Sequence, residues 1–230
     1  MVYDNYGNIV AKNGKIYTYN CQDGSDTWRD LLTAYDGCAI NYDGQGNPTT
    51  YLGRNLEWEK GRQLKSIDGD KFFTYNANGI RTSKTVWGSK HTYTLEGTKI
   101  LREEWNGGSI TPIYDNEDSV CGIIYDNGSI SKPYYFDKNL QGDVIGIVDE
   151  NGFVVARYSY DAWGKCTIVS DTSGINIAFY NPFRYRGYYY DKETELYYLQ
   201  SRYYDPETGR FINGDELGSV LSVTVDGVRM

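Results

Sequence analysis

The chain has 230 residues, enough for one large domain or two small ones, and 24 of its residues are tyrosine and 26 glycine. Its 23 basic and 31 acidic residues leave a formal charge of −8, which weighs against a sequence-independent nucleic-acid binder and against docking onto anionic lipid. No apolar run reaches membrane-spanning length, so no membrane insertion is expected, and the first residues lack a basic-then-apolar export signal.

In chain order, Tyr3-Asp4-Asn5-Tyr6-Gly7 opens a pattern that returns at Tyr42-Asp43-Gly44-Gln45-Gly46, at Tyr75-Asn76-Ala77-Asn78-Gly79 and at Tyr160-Asp161-Ala162-Trp163-Gly164. Between these stand segments rich in β-branched and aromatic residues: Lys15–Tyr19, Phe72–Tyr75, Val144–Val148 and Phe153–Tyr160. Thr27–Tyr35 has an ambiguous period and is assigned to strand. Asp149-Glu150-Asn151-Gly152 reads as a hairpin turn. Tyr-Asp occurs eight times, at residues 3, 35, 42, 114, 125, 160, 190 and 204, where the 24 tyrosines and 20 aspartates predict about two by chance. The physics is direct. Asp or Asn starts a turn by accepting from backbone amides, Gly three positions on takes the left-handed angle, and Tyr lays its ring on the sheet. The structural turn set is therefore Tyr42, Asp43, Gly46, Tyr75, Asn76, Gly79, Tyr160, Asp161 and Gly164. The expected fold is all-β, with consecutive antiparallel hairpins forming a curved, spiralling sheet.

Near Pro182 the tyrosines crowd together, dividing the chain into repeats over 1–180, a closing module over 181–218 and a tail over 219–230. Asn181-Pro182-Phe183-Arg184-Tyr185-Arg186-Gly187-Tyr188-Tyr189-Tyr190-Asp191 and Glu195–Asn213, with Tyr204-Asp205-Pro206-Glu207-Thr208-Gly209-Arg210-Phe211 inside it, resemble the RHS repeat-associated core. Arg184, Tyr185, Gly187, Tyr204, Asp205, Pro206, Gly209, Arg210 and Phe211 carry that motif. Asn139–Val144 and Ala156–Gly164 resemble the segment preceding it, and the looser repeats extend the likeness over about 210 residues.

The resemblance implies a YD-repeat protein whose sheet forms part of a hollow RHS shell, secreted or at the cell surface and bacterial. Its partners would be a C-terminal toxin cargo or neighbouring repeats of a longer chain. Many relatives also cleave themselves with an aspartate near the end of the core. Here the usual Asp-Pro-x-Gly is Asp215-Glu216-Leu217-Gly218, and the chain runs to Met230 with no room for a toxin. The expectation is a non-catalytic shell segment, with Asp215 the weak candidate for residual autoproteolysis.

Other chemistry is thin. His91 is the only histidine and reads as a strand residue at the surface. Asp205 and Asp215 could share a proton as a carboxylate pair, against the plainer reading of two turn residues. Asp23-Gly24-Ser25-Asp26 and Asp115–Asp118 lack EF-hand spacing, and no metal or cofactor is expected. Cys21, Cys38, Cys121 and Cys166 have no paired spacing, which leaves thiols and disulfides both open. Trp58, Trp87 and Trp163 head the candidates for stacking on cell-wall carbohydrate, with Trp28 and Trp105 behind them, against ring-on-strand packing. That defines an adhesin as the second hypothesis.

Overall fold

The computed structural model describes residues 1–20 and 30–214 throughout, together with the backbone of residues 224–225 and 228–229. The chain divides into two compact units, Met1–Asp70 and Lys71–Met230. The first holds β1 (Val2–Tyr3), β2 (Ile9–Lys12), β3 (Lys15–Tyr19), β4 (Leu32–Tyr35) and β5 (Cys38–Ala39), paired in that order. It continues with β6 (Asn41–Tyr42), β7 (Pro48–Tyr51), β8 (Arg54–Glu59) and β9 (Gln63–Ile67), again each beside the next. Of the ambiguous segment, 32–35 is strand, while 27–29 and Cys21 lie outside the described residues.

The second unit is built on a ladder of β10 (Lys71–Tyr75), β11 (Arg81–Val86), β12 (Ser89–Glu96), β13 (Lys99–Trp105), β14 (Gly108–Tyr114), β15 (Val120–Asp126), β16 (Ser131–Lys138), β17 (Val144–Val148), β18 (Val154–Tyr160) and β19 (Cys166–Asp171). Every pairing is antiparallel and between sequence neighbours. A one-turn helix α1 (Ile177–Tyr180) and a 3-10 turn at Tyr185–Gly187 lead into a four-stranded sheet, β20 (Tyr189–Asp191), β21 (Leu196–Leu199), β22 (Arg202–Asp205) and β23 (Arg210–Phe211). β24 (Thr224–Val225) pairs with β25 (Val228–Arg229). The fold is all-β and antiparallel, and among the described residues no helix is long and apolar enough to cross a membrane.

Among the described residues one corner occurs seven times, headed by Asp4, Asp43, Asn76, Asp115, Asn139, Asp149 and Asp161. At Asp43 the side-chain Oδ1 accepts from the amides of Gln45 and Asn47, both at 2.9 Å. The Asp43 amide donates to the Asn47 carbonyl at 2.9 Å, and Gly46 donates back to the Asp43 carbonyl at 3.1 Å. The same four bonds form at the other six. In all seven the residue before the Asx pairs with the residue five after it, as Tyr42 does with Pro48. The left-handed position after the Asx is glycine except at Asp118, whose φ is 64°. An aspartate tolerates that region because its short polar side chain bonds locally.

At three corners the tyrosine before the Asx anchors the corner to an earlier strand. The Tyr42 hydroxyl donates to the Leu32 carbonyl at 2.8 Å, Tyr114 to Ile100 at 2.9 Å and Tyr160 to Val144 at 2.6 Å. Each half-buries its ring and satisfies its polar tip, so tyrosine suits the position better than phenylalanine. Other hairpins turn on two residues with positive φ, such as Leu52-Gly53 at 48° and 80° and Trp87-Gly88 at 49° and 80°.

Candidate functional site: where the closing module meets the ladder

β11, β12 and β13 present to the β20–β23 sheet a set of charged side chains that is buried almost completely. Arg81 of β11 grips Asp191 of β20 through both nitrogens, at 2.5 and 3.0 Å, and each side chain is only 1% exposed. Lys84, three residues further along the same strand, reaches Asp191 at 3.2 Å and Glu193 at 3.1 Å. Beside them Glu103 of β13 accepts from the Tyr189 hydroxyl at 2.7 Å and bonds the His91 Nδ1 at 2.7 Å. Tyr93 and Tyr189 share a hydroxyl contact at 3.1 Å, and Tyr198 accepts the Arg81 amide at 2.9 Å. The Arg81 guanidinium is enclosed by the rings of Phe73, Tyr93, Tyr189 and Tyr198 at 4.2–5.4 Å.

Burial of charge is costly unless every group finds a partner. Burial works to raise the Asp191 pKa, but Arg81 and Lys84 outweigh it and hold the carboxyl below its ordinary range. Glu103 is likewise held low against its burial, by His91, Lys84 and the Tyr189 hydroxyl. Burial also pushes the tyrosines up, Tyr190 to about 12. The cluster is thus a fixed, ionised staple with neutral phenols around it.

A second contact involves the Asp161 corner. The Tyr197 hydroxyl donates to the Gly164 carbonyl at 2.9 Å and Tyr204 to the Trp163 carbonyl at 2.8 Å. A Cβ on Gly164 would lie 2.5 Å from the Tyr185 ring, and one on Gly209 would lie 2.7 Å from the Trp163 ring. Both glycines are therefore seats for aromatic rings. A third contact uses the Asn139 corner: Asp143 accepts the Arg186 amide at 2.9 Å, and Val144 donates to the Arg184 carbonyl at 3.1 Å. Arg184 is buried, donating to the Ala178 and Asn181 carbonyls with the Tyr190 ring 4.5 Å away.

Tyr160, Asp161, Gly164, Arg184, Tyr185, Tyr204 and Gly209 are therefore brought together at this seam, whereas Tyr75 reaches it through its hydroxyl contact with Tyr203 at 2.8 Å. Asp205 takes the Glu207 amide at 2.8 Å and heads its turn, with Pro206 buried beside it. Arg210 pairs with Asp205 across β22 and β23, and Phe211 lies beneath Arg202 at 3.8 Å. Gly187 closes the 3-10 turn on the Arg184 carbonyl. Tyr42, Asp43, Gly46 and Trp58 belong to the first unit, where the Trp58 indole donates to the Pro48 carbonyl at 2.6 Å. Trp87 stands 72% exposed. Asn76 and Gly79 form the corner beside Arg81, and Asp215 and Trp28 lie outside the described residues, so no carboxylate pair with Asp205 is described. Cys38, Cys121 and Cys166 are thiols.

Arg81, Lys84, Glu103 and Asp191 escaped the sequence reading. Asp191 stands in the sequence as one more repeat aspartate, but its side chain heads no corner; its backbone carbonyl turns the chain, accepting from the amides of Thr194 and Glu195.

A ladder of neighbour-paired antiparallel hairpins turned by aromatic-Asx corners, with the four-stranded β20–β23 sheet stapled to it, is the class of fold in the second unit. The Teneurin YD-shell family profile matches residues 106–224. The chain belongs to that family of RHS/YD-repeat proteins. It is 34% identical to the tRNA nuclease WapA of Bacillus subtilis over 93% of its own length and 9% of the relative's. With Teneurin-m of Drosophila melanogaster the identity is 26% over 92% of this chain and 8% of that one. The solved TcdB2-TccC3-Cdc42 structure superposes with a TM-score of 0.63 at 18% identity, covering 87% of this chain and 12% of that one, a likeness of fold. The chain thus spans about a tenth of the length of these proteins.

Proposed function

We propose that this chain is a non-catalytic wall segment of a secreted or surface RHS-type shell, and that its closing module locks the ladder which encloses or presents a C-terminal cargo. The carrying observation is the buried staple of Arg81, Lys84, Glu103, Asp191 and Glu193, whose charged groups all have partners within the seam. A catalytic site leaves a reactive group open to substrate, and the staple does not. The name of the Bacillus relative gives it a nuclease activity against tRNA, but the acidic balance of this segment opposes RNA contact. We assign such activity to other parts of the long relatives.

The test uses the purified chain with total tRNA on denaturing gels, and intact mass after storage. Uncut RNA and an uncut chain are expected. Degradation of tRNA by the pure chain would end the proposal, and so would a cleavage product that disappears in Asp215→Asn.

A further inference from the structure

Next to the staple, on the side of α1, lies a cavity of about 290 Å³. Its lining combines flat aromatic faces with charged groups of both signs. Trp105 and Tyr180 set their ring planes within 2° of parallel, 6.5 Å between centroids. Phe179 and Trp87 stand at the lining with 48% and 72% of their surface exposed. The Lys192 ammonium sits 4.0 Å from the Phe179 ring centroid and 4.8 Å from that of Tyr180. It makes no hydrogen bond or ion pair among the described residues. Glu193 gives one carboxylate oxygen to Lys84, and the other has no hydrogen-bond partner among the described residues.

We propose that this cavity is a binding site for a neutral sugar ring. Two lysines, Lys84 and Lys192, and two glutamates, Glu103 and Glu193, line it, so their formal charges cancel and a strongly charged ligand gains little there. A sugar offers one apolar face of C–H groups and a belt of hydroxyls that both donate and accept. The Trp105 face is already covered by the His91 ring, 5.1 Å between centroids, so the rings that match the sugar face are the exposed ones of Trp87 and Phe179. The three unused donors of Lys192 and the spare oxygen of Glu193 match the belt. An aromatic peptide side chain would use the walls but not both polar groups, and a phosphate would meet the glutamates. The volume is at the lower end for ligand pockets, about 300 Å³, which suits one ring and not a packed polymer. The cavity borders the staple, but Lys192 and the second oxygen of Glu193 lie outside the staple's bonds, so the site stands whether or not the shell role does.

The experiment titrates the chain with glucose, galactose, N-acetylglucosamine and glucuronic acid, following tryptophan fluorescence and amide chemical shifts. Saturable binding of at least one neutral sugar is expected, with shifts confined to the cavity lining. Trp87→Asn removes the ring yet suits the positive φ of 49° at that position, and Lys192→Ala removes the donor. Each should weaken binding about tenfold or more, in line with loss of one stacking face or one charged hydrogen bond, while thermal unfolding stays unchanged. No saturable shift with any neutral sugar overturns the proposal. So does binding that survives both substitutions, or binding by glucuronic acid alone, which would mark an anion site at Lys192.

Discussion

Two aspartates with the same preceding residue do different work. In Tyr160-Asp161 the carboxylate bonds the amides of its own corner, whereas in Tyr190-Asp191 it is buried against Arg81 and Lys84. Local sequence does not separate them, because Asp115 also lacks a nearby glycine and still heads a corner. The deciding partner of Asp191 lies 110 residues away. Asp191→Asn should leave the buried Arg81 without its counter-ion and Lys84 with Glu193 alone, and lower the unfolding free energy by about 3–5 kcal/mol in urea titrations. Glu207→Gln, which breaks the exposed pair with Lys165, should cost under about 1 kcal/mol. Equal costs would contradict the staple. Glycines give a matching contrast. Gly14→Ala meets open space and strains only a backbone with φ of 79°, a loss of about 1 kcal/mol. Gly164→Ala has φ of 86° and also drives a methyl into the Tyr185 ring, so it should lose about 1–3 kcal/mol more, measured as urea midpoints.

At the scale of elements, the hairpins were legible and the seam was not. Corner determinants are local: Asp43 and Gly46 sit three residues apart and the bonds between them follow from those two residue types. Asn139 and Asp149 head the same corner without a tyrosine before them, so the Asx-x-x-Gly spacing is the turn and the tyrosine is its anchor. The staple draws on β11, β13, β20 and the turn after it, and nothing in any one of them points to the others. It makes the seam sensitive to acid in a definite direction. Asp191 and Glu103 have folded pKa values below their ordinary 3.8 and 4.5. As pH falls through the ordinary range the unfolded chain takes up protons that the folded chain refuses, so acid favours unfolding. Their contribution is complete above about pH 5 and is lost as pH falls through about 4 towards the depressed values. Near-ultraviolet circular dichroism of the tyrosines should collapse in that window, and the double variant Asp191→Asn, Glu103→Gln should flatten the pH dependence while lowering stability throughout. An unchanged pH profile would count against the assignment.

At the scale of the whole molecule, the second unit's ladder stops at β19, beyond which no further strand is added among the described residues. Ile168 and Val169 there are 40% and 60% exposed. An exposed apolar edge invites pairing with another chain. Sedimentation should show concentration-dependent association that Val169→Lys reduces, and a monomer at every concentration would contradict this. The neighbour-by-neighbour strand order was readable from the spacing of the corners.

That strand order has a temporal side. Because each strand of the ladder after β10 hydrogen-bonds to the one made just before it, a nascent chain can zip up its hairpins as they leave the ribosome, with little loop entropy to overcome. The link between Arg81 and Asp191 cannot form until more than a hundred further residues have been synthesised. Translation itself therefore schedules the lock last, after the wall it secures is already standing.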